Sequence, residues 1–464
     1  MLRNDVHYAD LTTVGDMLRA REVSATELMQ HMQQRIARLD SLLHCFAFLD
    51  LDAAMAQARA ADALLDQGGG GPLTGIPIAV KDLFWTSDMP TAAGMAIHAD
   101  FRPAQDATVV DRLRKAGAIV FGKLQMTEGA FALHHPSIEP PVNPWGEALW
   151  PGASSSGSGV AVSAGLSFAS LGSDTGGSIR FPSAANGLTG LKPSWGRISR
   201  YGTFELAASH DHVGPMARSA RDVALLYSLL AGHDPCDPTS WVARPDPVNA
   251  DACSRLDGLR IGYAPAAVDA CDPELGPALA EALSVLAGMG GNLREVTLPD
   301  LVAGAGQWEL LTGVEAALAH CETFPKRADE YGIALTRLIE LGRQASAMDY
   351  QQARRIRMDL RGRLDALLYN VDVLVLPVMP FAAPTLDRLG ALAEDPDANT
   401  RLISFTAPFN LGGQPAICLP CRPTADGAPI GFQLIAARGR EDAILSAAIA
   451  FQRETDWHSR HPID

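Results

Sequence analysis

Lysine is scarce in this chain: five residues, at positions 81, 115, 123, 192 and 326, stand against thirty-three arginines in a total of 464. The protein therefore makes its surface cations from arginine, and each lysine needs its own explanation. Lysine is the cation that can shed its proton when buried, because the arginine pKa stays above about 12. Positive charge as a whole is also in deficit. A net charge of −15 argues against a nucleic-acid surface, which needs a basic face to displace phosphate counterions, and serves solubility instead. Long apolar runs are missing, and residues 1–10 lack the basic start and apolar core of a signal peptide. The expectation is a cytoplasmic protein without membrane contact. Seven cysteines (45, 236, 253, 271, 321, 418 and 421) are odd in number and scattered, as reduced thiols would be. Cys418-Leu-Pro-Cys421 matches CxxC in form, but residues 415–421 read as a buried strand in which thiols pack rather than react.

Familiar catalytic motifs are absent too. No lysine follows Gly157 or Gly159 as a phosphate loop requires, and neither Gly/Ser loop supplies GxGxxG. The nucleophile elbow GxSxG is missing at positions 154, 158 and 178, and no serine precedes a lysine by three residues, which excludes SxxK. None of the twelve histidines opens an HExxH, and His210-Asp-His212 reads as a polar loop rather than a zinc site.

What is present is an alternation of helical and strand signals. Ser24-Ala-Thr-Glu27 has capping-box spacing, followed by Leu28, Met32, Ile36 and Leu39 at helical intervals. Residues 53–65 form an alanine-rich helix stopped by the glycine run 68–71, and residues 76–80 form a short buried strand with Lys81 at its end. A helix over 108–116, stopped by Gly117, leads into a strand over 118–121 and a second glycine at 122. This is the pattern of a mostly parallel sheet covered by helices. Residues 132–151, with their prolines, form an irregular segment expected to wall a substrate pocket. After a helix over 220–231 comes a Pro/Asp-rich linker, a strand over 259–263, a largely helical stretch over 274–369, and strands over 371–376, 415–420 and 429–435.

Two Gly/Ser loops carry the chemistry. Residues 151–159 read Pro-Gly-Ala-Ser-Ser-Ser-Gly-Ser-Gly, and residues 172–180 read Gly-Ser-Asp-Thr-Gly-Gly-Ser-Ile-Arg. Ser154, Ser155, Ser156 and Ser158 are mostly turn hydroxyls that bond neighbouring backbone. Ser178 differs in context, because two glycines before it let successive N–H groups converge in a nest. A hydroxyl on a nest combines a nucleophile with an oxyanion cradle. Lys81, at the end of an apolar strand, is the group that desolvation turns into a neutral amine and general base. Asp174 and Arg180 read as an ion pair that holds the nest, and Lys123 and Lys192 as structural cations.

These residues carry a resemblance to the amidase signature family. The matching stretches are Gly75-Ile-Pro-Ile-Ala-Val-Lys81-Asp, residues 117–123, both Gly/Ser loops, residues 190–193, 196–202 and 212–218, and near the C-terminus residues 410–416 and 431–434. The resemblance implies a single α/β/α domain over 1–464, with a mixed twisted sheet covered by helices on both faces. Within it lie a signature core at 70–230, a mainly helical lid at 234–370, and closing strands with a C-terminal helix at 371–464. It implies a cofactor-free, metal-free Ser–cis-Ser–Lys triad: Ser178 as nucleophile, Ser154 as bridge on a cis peptide, Lys81 as base. Thr175, Gly176 and Gly177, with Ser178, would supply the oxyanion donors, and Ala130 would line the acyl pocket. Family members often have Gly-Gly-Ser-Ser-Gly-Gly where this chain has Gly152-Ala-Ser-Ser-Ser-Gly157, so choosing Ser154 over Ser155 rests on alignment. The run Gly122-Lys-Leu-Gln125 departs from the family's Gly-Lys-Thr-Asn.

The implied activity is an amidase for aryl or medium-sized apolar amides, with Phe131, Trp145, Trp150, Phe204 and Trp308 as pocket liners. The alternatives are the A subunit of a glutamine-dependent tRNA amidotransferase, or a carbamate (urethane) or ester hydrolase with the same triad. A non-hydrolytic binding protein on the same fold would not need all three triad residue types. The expected partner is a small-molecule amide or carbamate, and a homodimer is left open.

Overall fold

The helical spacing near the N-terminus becomes the helix Ala25–Leu43 in the computed structural model, which describes residues 5–463 apart from 249, 270, 393, 394 and 396. Its capping box is complete: the Ser24 hydroxyl accepts from the Glu27 amide while the Glu27 carboxylate accepts from the Ser24 amide. The alanine-rich stretch is the helix Leu51–Asp66, and the two helices pack through small side chains such as Ala54, Ala58 and Ala61.

Eleven strands among the described residues form one sheet. They are β1 (Phe46–Leu49), β2 (Pro77–Lys81), β3 (Ile119–Leu124), β4 (Ala169–Asp174), β5 (Thr189–Lys192), β6 (His212–Ala217), β7 (Arg260–Tyr263), β8 (Asn292–Glu295), β9 (Val373–Pro377), β10 (Ala416–Cys421) and β11 (Ile430–Ile435). The spatial order is β1-β3-β2-β4-β6-β5-β10-β11-β9-β7-β8. β2 is parallel to both β3 and β4, and β7 is parallel to both β8 and β9; the remaining pairs are antiparallel, so the sheet is mixed.

Side-chain alternation explains the layers. Along β9, Val373 and Val375 join one apolar core while Leu374 and Leu376 join a second; along β10, Ile417 and Leu419 oppose Ala416 and Cys418. Neighbouring residues on a strand face opposite ways, so each core lies on its own face. The helix Glu441–Glu454 covers the first through Ile444, Leu445 and Ala448, and the helix Ala347–Asn370 covers the second through Leu360, Leu364 and Leu368. The same parity places Cys418 and Cys421 in different cores. Three residues apart on a strand, about 10 Å, they are too far to bridge, and both thiols are buried in packing positions.

Several expectations shift. Gly122 does not end its strand: β3 runs on through Lys123 to Leu124, with Gly122 paired to Leu49 of β1. Gly172-Ser-Asp174 is the end of β4 rather than loop, and His212 opens β6 rather than lying in one. The 234–370 stretch contributes β8 as well as helices. Residues 132–151 are irregular, as their prolines require.

Glycines set the spacing of the three central strands. A Cβ on Gly214 of β6 would lie 1.9 Å from the Leu191 carbonyl oxygen of β5, an overlap that backbone alone would have to absorb. Gly214→Ala should lower stability by about 3 kcal/mol and Ser24→Ala, which removes only a cap, by about 1 kcal/mol. Thermal melts of the two variants check the ranking, and an unchanged Gly214→Ala midpoint would contradict it.

Candidate active site

Parallel pairing brings the site together. Ala79 and Val80 of β2 stand opposite Ser170 and Leu171 of β4, so both strands end at the same edge, where the Lys81 side chain reaches Ser173. The C-terminal edge of parallel strands is where open α/β sheets place ligands. Lys81 is fully buried, its Nζ 2.7 Å from Ser154 Oγ and 2.8 Å from Ser173 Oγ. Burial pulls its pKa from 10.5 to about 7, against the opposing pull of the Asp174 and Asp211 carboxylates.

Ser154 follows a cis peptide bond from Ala153 and precedes the helix Ser156–Ser163. Its carbonyl accepts from the Thr127 amide, and at Gly152, in a left-handed conformation (φ 83°), a Cβ would fall 2.3 Å from Pro182 Cα. Only glycine tolerates that approach.

The 175–179 loop is held from three sides. Asp174 accepts from the Ile179 amide (3.1 Å), from Arg180 Nε (3.0 Å) and Nη2 (2.9 Å), and from Asn410 Nδ2 (2.8 Å). Burial alone would raise the Asp174 carboxyl, yet the Arg180 charge and hydrogen bonds, with Lys192 and Asn410, hold it well below the usual carboxylate range. The expected ion pair is present and has no solvent contact. Arg180 also donates to Gln433 Oε1, the Thr406 carbonyl and Asn410 Oδ1, tying the loop to β11 and to the helix Ala407–Gly412 with its N-cap.

Second, three consecutive carbonyls are occupied: Trp308 Nε1 donates to Thr175 O (2.7 Å), the Thr406 hydroxyl to Gly176 O, and the Phe181 amide to Gly177 O (2.7 Å). The amides of Thr175, Gly176, Gly177 and Ser178 have no protein acceptor among the described residues. Third, the Ile179 side chain drops into a pit between three strands, where a Cβ on Gly172, Gly190 or Gly214 would meet it at 3.1, 2.9 and 3.1 Å. Ser178, between nest and anchor, is half-buried, and its hydroxyl has no protein partner among the described residues.

Ser154 and Ser178 share a cavity of about 480 Å³ with Ala130, Thr175 and Gly176. Apart from Asn399, its other walls are apolar, from Phe131, Trp150, Phe181 and Trp308 to Leu389, Leu402 and Ile403, and no charged side chain lines it among the described residues. Leu133 and Leu386 belong to the lining yet are 60% and 49% exposed, which marks the mouth.

Phe131, Trp150 and Trp308 line the cavity as expected, whereas Trp145 and Phe204 do not. Trp145 donates to Ser163 Oγ and the Asn186 carbonyl, and Phe204 packs on His98 and Phe101 beside a smaller neighbouring cavity. The lid also differs: of residues 234–370, Trp308 alone reaches the cavity among the described residues, and the outer wall comes from residues 381–403. Lys123 and Lys192 are buried donors to backbone carbonyls, Lys123 to Phe84 and Pro90 and Lys192 to Pro193 and Gln414. Gln125 is not in the cavity; its carbonyl accepts from the Gly157 amide.

A family model described as Amidase matches residues 27–445. The chain is 46% identical over 454 residues to the protein named "Putative amidase AmiD" of Mycobacterium tuberculosis, covering 98% of this chain and 95% of that one. The chain belongs to the amidase signature family. It is 36% identical to the A subunit of the glutamyl-tRNA(Gln) amidotransferase of Chloroflexus aggregans over 99% of both chains. Among solved structures, the peptide amidase of Stenotrophomonas maltophilia superposes with a TM-score of 0.83 at 28% identity, over 96% of this chain and 97% of that one. As an amidase-family chain it is a hydrolase of carbon–nitrogen bonds, and none of its described helices is long and apolar enough to cross a membrane.

Ser173 and Ile179 are the site residues that sequence reading passed over. Both lie within Gly172–Arg180, but taking residues 172–174 as loop hid the parallel pairing of β2 and β4 that brings the Lys81 side chain within reach of Ser173. The glycines at 172, 190 and 214 become a pit only once β4, β6 and β5 are neighbours. Removing one member of a buried ion pair leaves an uncompensated charge and costs about 3–5 kcal/mol. Asp174→Asn should therefore lower stability by about that much, while the double variant Asp174→Asn/Arg180→Met recovers part of it; denaturant unfolding of both variants checks this.

Proposed function

We propose that this amidase-family hydrolase cleaves neutral, largely apolar carboxylic amides through an acyl-enzyme on Ser178, with Ser154 and Lys81 as the proton relay. The observation that carries the reading is Lys81, a fully buried amine with a pKa near 7, in hydrogen-bond contact with a serine of the apolar cavity. Neutral Lys81 Nζ takes the proton of Ser154 as Ser154 Oγ takes that of Ser178. The Ser178 oxygen then bonds to the acyl carbon, and the carbonyl π pair moves onto oxygen. The amides of Thr175, Gly176, Gly177 and Ser178 receive that oxyanion, and donors fixed before the reaction need no reorganisation during it. Collapse breaks the C–N bond, and the proton on Lys81 returns through Ser154 to the leaving amine. Water repeats the sequence and frees the acid. Ala130 forms part of the acyl wall.

Substrate class follows from the lining. Glutamine presents an α-ammonium and an α-carboxylate, and the cavity offers no charged partner to either. The tRNA amidotransferase reading is thus the less favoured one. Carbamates and esters present the same acyl carbon and remain members of the substrate panel. Exposed leucines at the mouth favour substrates whose apolar part extends outward.

Lys81→Ala, Ser154→Ala and Ser178→Ala should each lower kcat on an anilide by at least about a thousandfold while circular dichroism stays native; full activity in Ser178→Ala would end the proposal. The base works unprotonated, so kcat/KM should climb about tenfold per pH unit below a limb near pH 7 and level off above it. Across acetanilide, hexananilide, octananilide, a phenyl carbamate and glutamine, kcat/KM should rise with acyl length and be lowest for glutamine. Leu133→Asp should erase the gain for the longest acyl group only; a preference for glutamine would favour the amidotransferase reading instead.

A further inference from the structure

Behind the apolar cavity lies a second one of about 10 Å³, bordered like the first by Ala130, Thr175 and Leu206. That is about one probe sphere, the room a single water needs. Its wall includes Ser173, Arg200, Thr203, Asp211 and His212. Thr203 Oγ1, Arg200 Nε and Nη1, and His212 Nε2 are buried with no hydrogen-bond partner among the described residues. Buried polar atoms in folded proteins are nearly always paired, with ordered water where protein does not serve.

The chemistry of each group fixes its part. His212 is 2% exposed, and its Nδ1 lies 2.8 Å from the His210 carbonyl and 3.2 Å from that of Asp174. Carbonyls only accept, so Nδ1 carries the proton and Nε2 presents a lone pair. Burial, and then the nearby Lys192, hold this imidazole well below its usual pKa, hence neutral. Neutral Lys81 has two N–H groups and one lone pair. To serve as base its lone pair must face Ser154, which turns an N–H to Ser173 Oγ at 2.8 Å. Ser173 must then place its own proton, and no protein acceptor takes it among the described residues.

We propose that this chamber binds one ordered water, which accepts the Ser173 proton and donates to His212 Nε2, and so orients the chain from Ser178 through Ser154, Lys81 and Ser173. Ser173 and His212 are then positioning residues; the proposal rests on the relay reading of Lys81. Without the water, the Ser173 proton turns onto the Lys81 lone pair, competes with Ser154, and favours the neutral amine. A chain fixed in one direction is a preorganised base.

The test has two arms. A crystal structure at about 1.5 Å should show density for water within hydrogen-bond distance of Ser173 Oγ and His212 Nε2. His212→Asn keeps a donor for the His210 carbonyl and loses the Nε2 acceptor; Thr203→Val, a second variant, removes a hydroxyl from the wall. Each should lower plateau kcat about tenfold with KM unchanged and move the acid limb to lower pH. The charged groups around Lys81 and the chamber, Asp174, Asp211, Arg200 and Glu205, stay in place, and Glu205→Gln controls for the Glu205 carboxyl, whose pKa burial raises. A dry chamber, or an unchanged plateau and limb in both variants, would overturn the proposal. Persistent activity in Lys81→Ala would instead remove the relay reading and leave the water density standing, so the two failures are distinguishable.

Discussion

Taking one ammonium group out of water governs this molecule. At the end of β2, Lys81 has no solvent contact and faces two serine hydroxyls instead of a carboxylate partner at contact distance. Desolvation therefore outweighs the distant pull of Asp174 and Asp211, and a shift from 10.5 to about 7 is worth roughly 5 kcal/mol between the two protonation states. A direct salt bridge would have cancelled that effect, as an opposite charge close by favours the ionised form. The neighbouring carboxylate, Asp174, is occupied by Arg180 and Asn410. The buried ion pair thus does two things: it folds the 175–179 loop, and it keeps a negative charge from fixing the proton on Lys81.

The loop depends on the sheet beneath it. Ile179 is seated among glycines of β4, β5 and β6, and the carbonyls of residues 175–177 are taken by Trp308, Thr406 and Phe181. With those carbonyls committed, the amides are left as the loop's available donors. Residues at the far end of the sequence complete the arrangement, since Asn410, in the helix Ala407–Gly412, and Gln433 of β11 both reach Arg180. A site formed by residues 81–180 therefore requires residues past 400 to hold its shape.

Much of this was legible in the chain. The capping box, the strand ending at Lys81 and the glycines before Ser178 are local signals, and local signals survive folding. The mixed sheet followed from the resemblance rather than from any run of residues. Short strands such as β1, β5 and β8 were not legible, because four residues carry too little periodicity to separate from loop. Ser173 was hidden for a different reason: its contact with Lys81 arises from the parallel pairing of β2 with β4, a long-range event that no local signal carries. Trp145 and Phe204 show the converse. An aromatic fills whichever apolar space is nearest, and its ring carries no mark of which cavity that will be.

The central claim, that Lys81 is an amine poised near neutrality, is open to direct measurement because the chain has five lysines. Selective ¹³Cε-lysine labelling gives a spectrum simple enough to follow each side chain through a pH titration, with the Lys81 signal assigned by its loss in Lys81→Ala. The account predicts a Lys81 midpoint near 7. A Lys81 midpoint above 10 would contradict it, since the group would then be a charged ornament of the fold rather than its base.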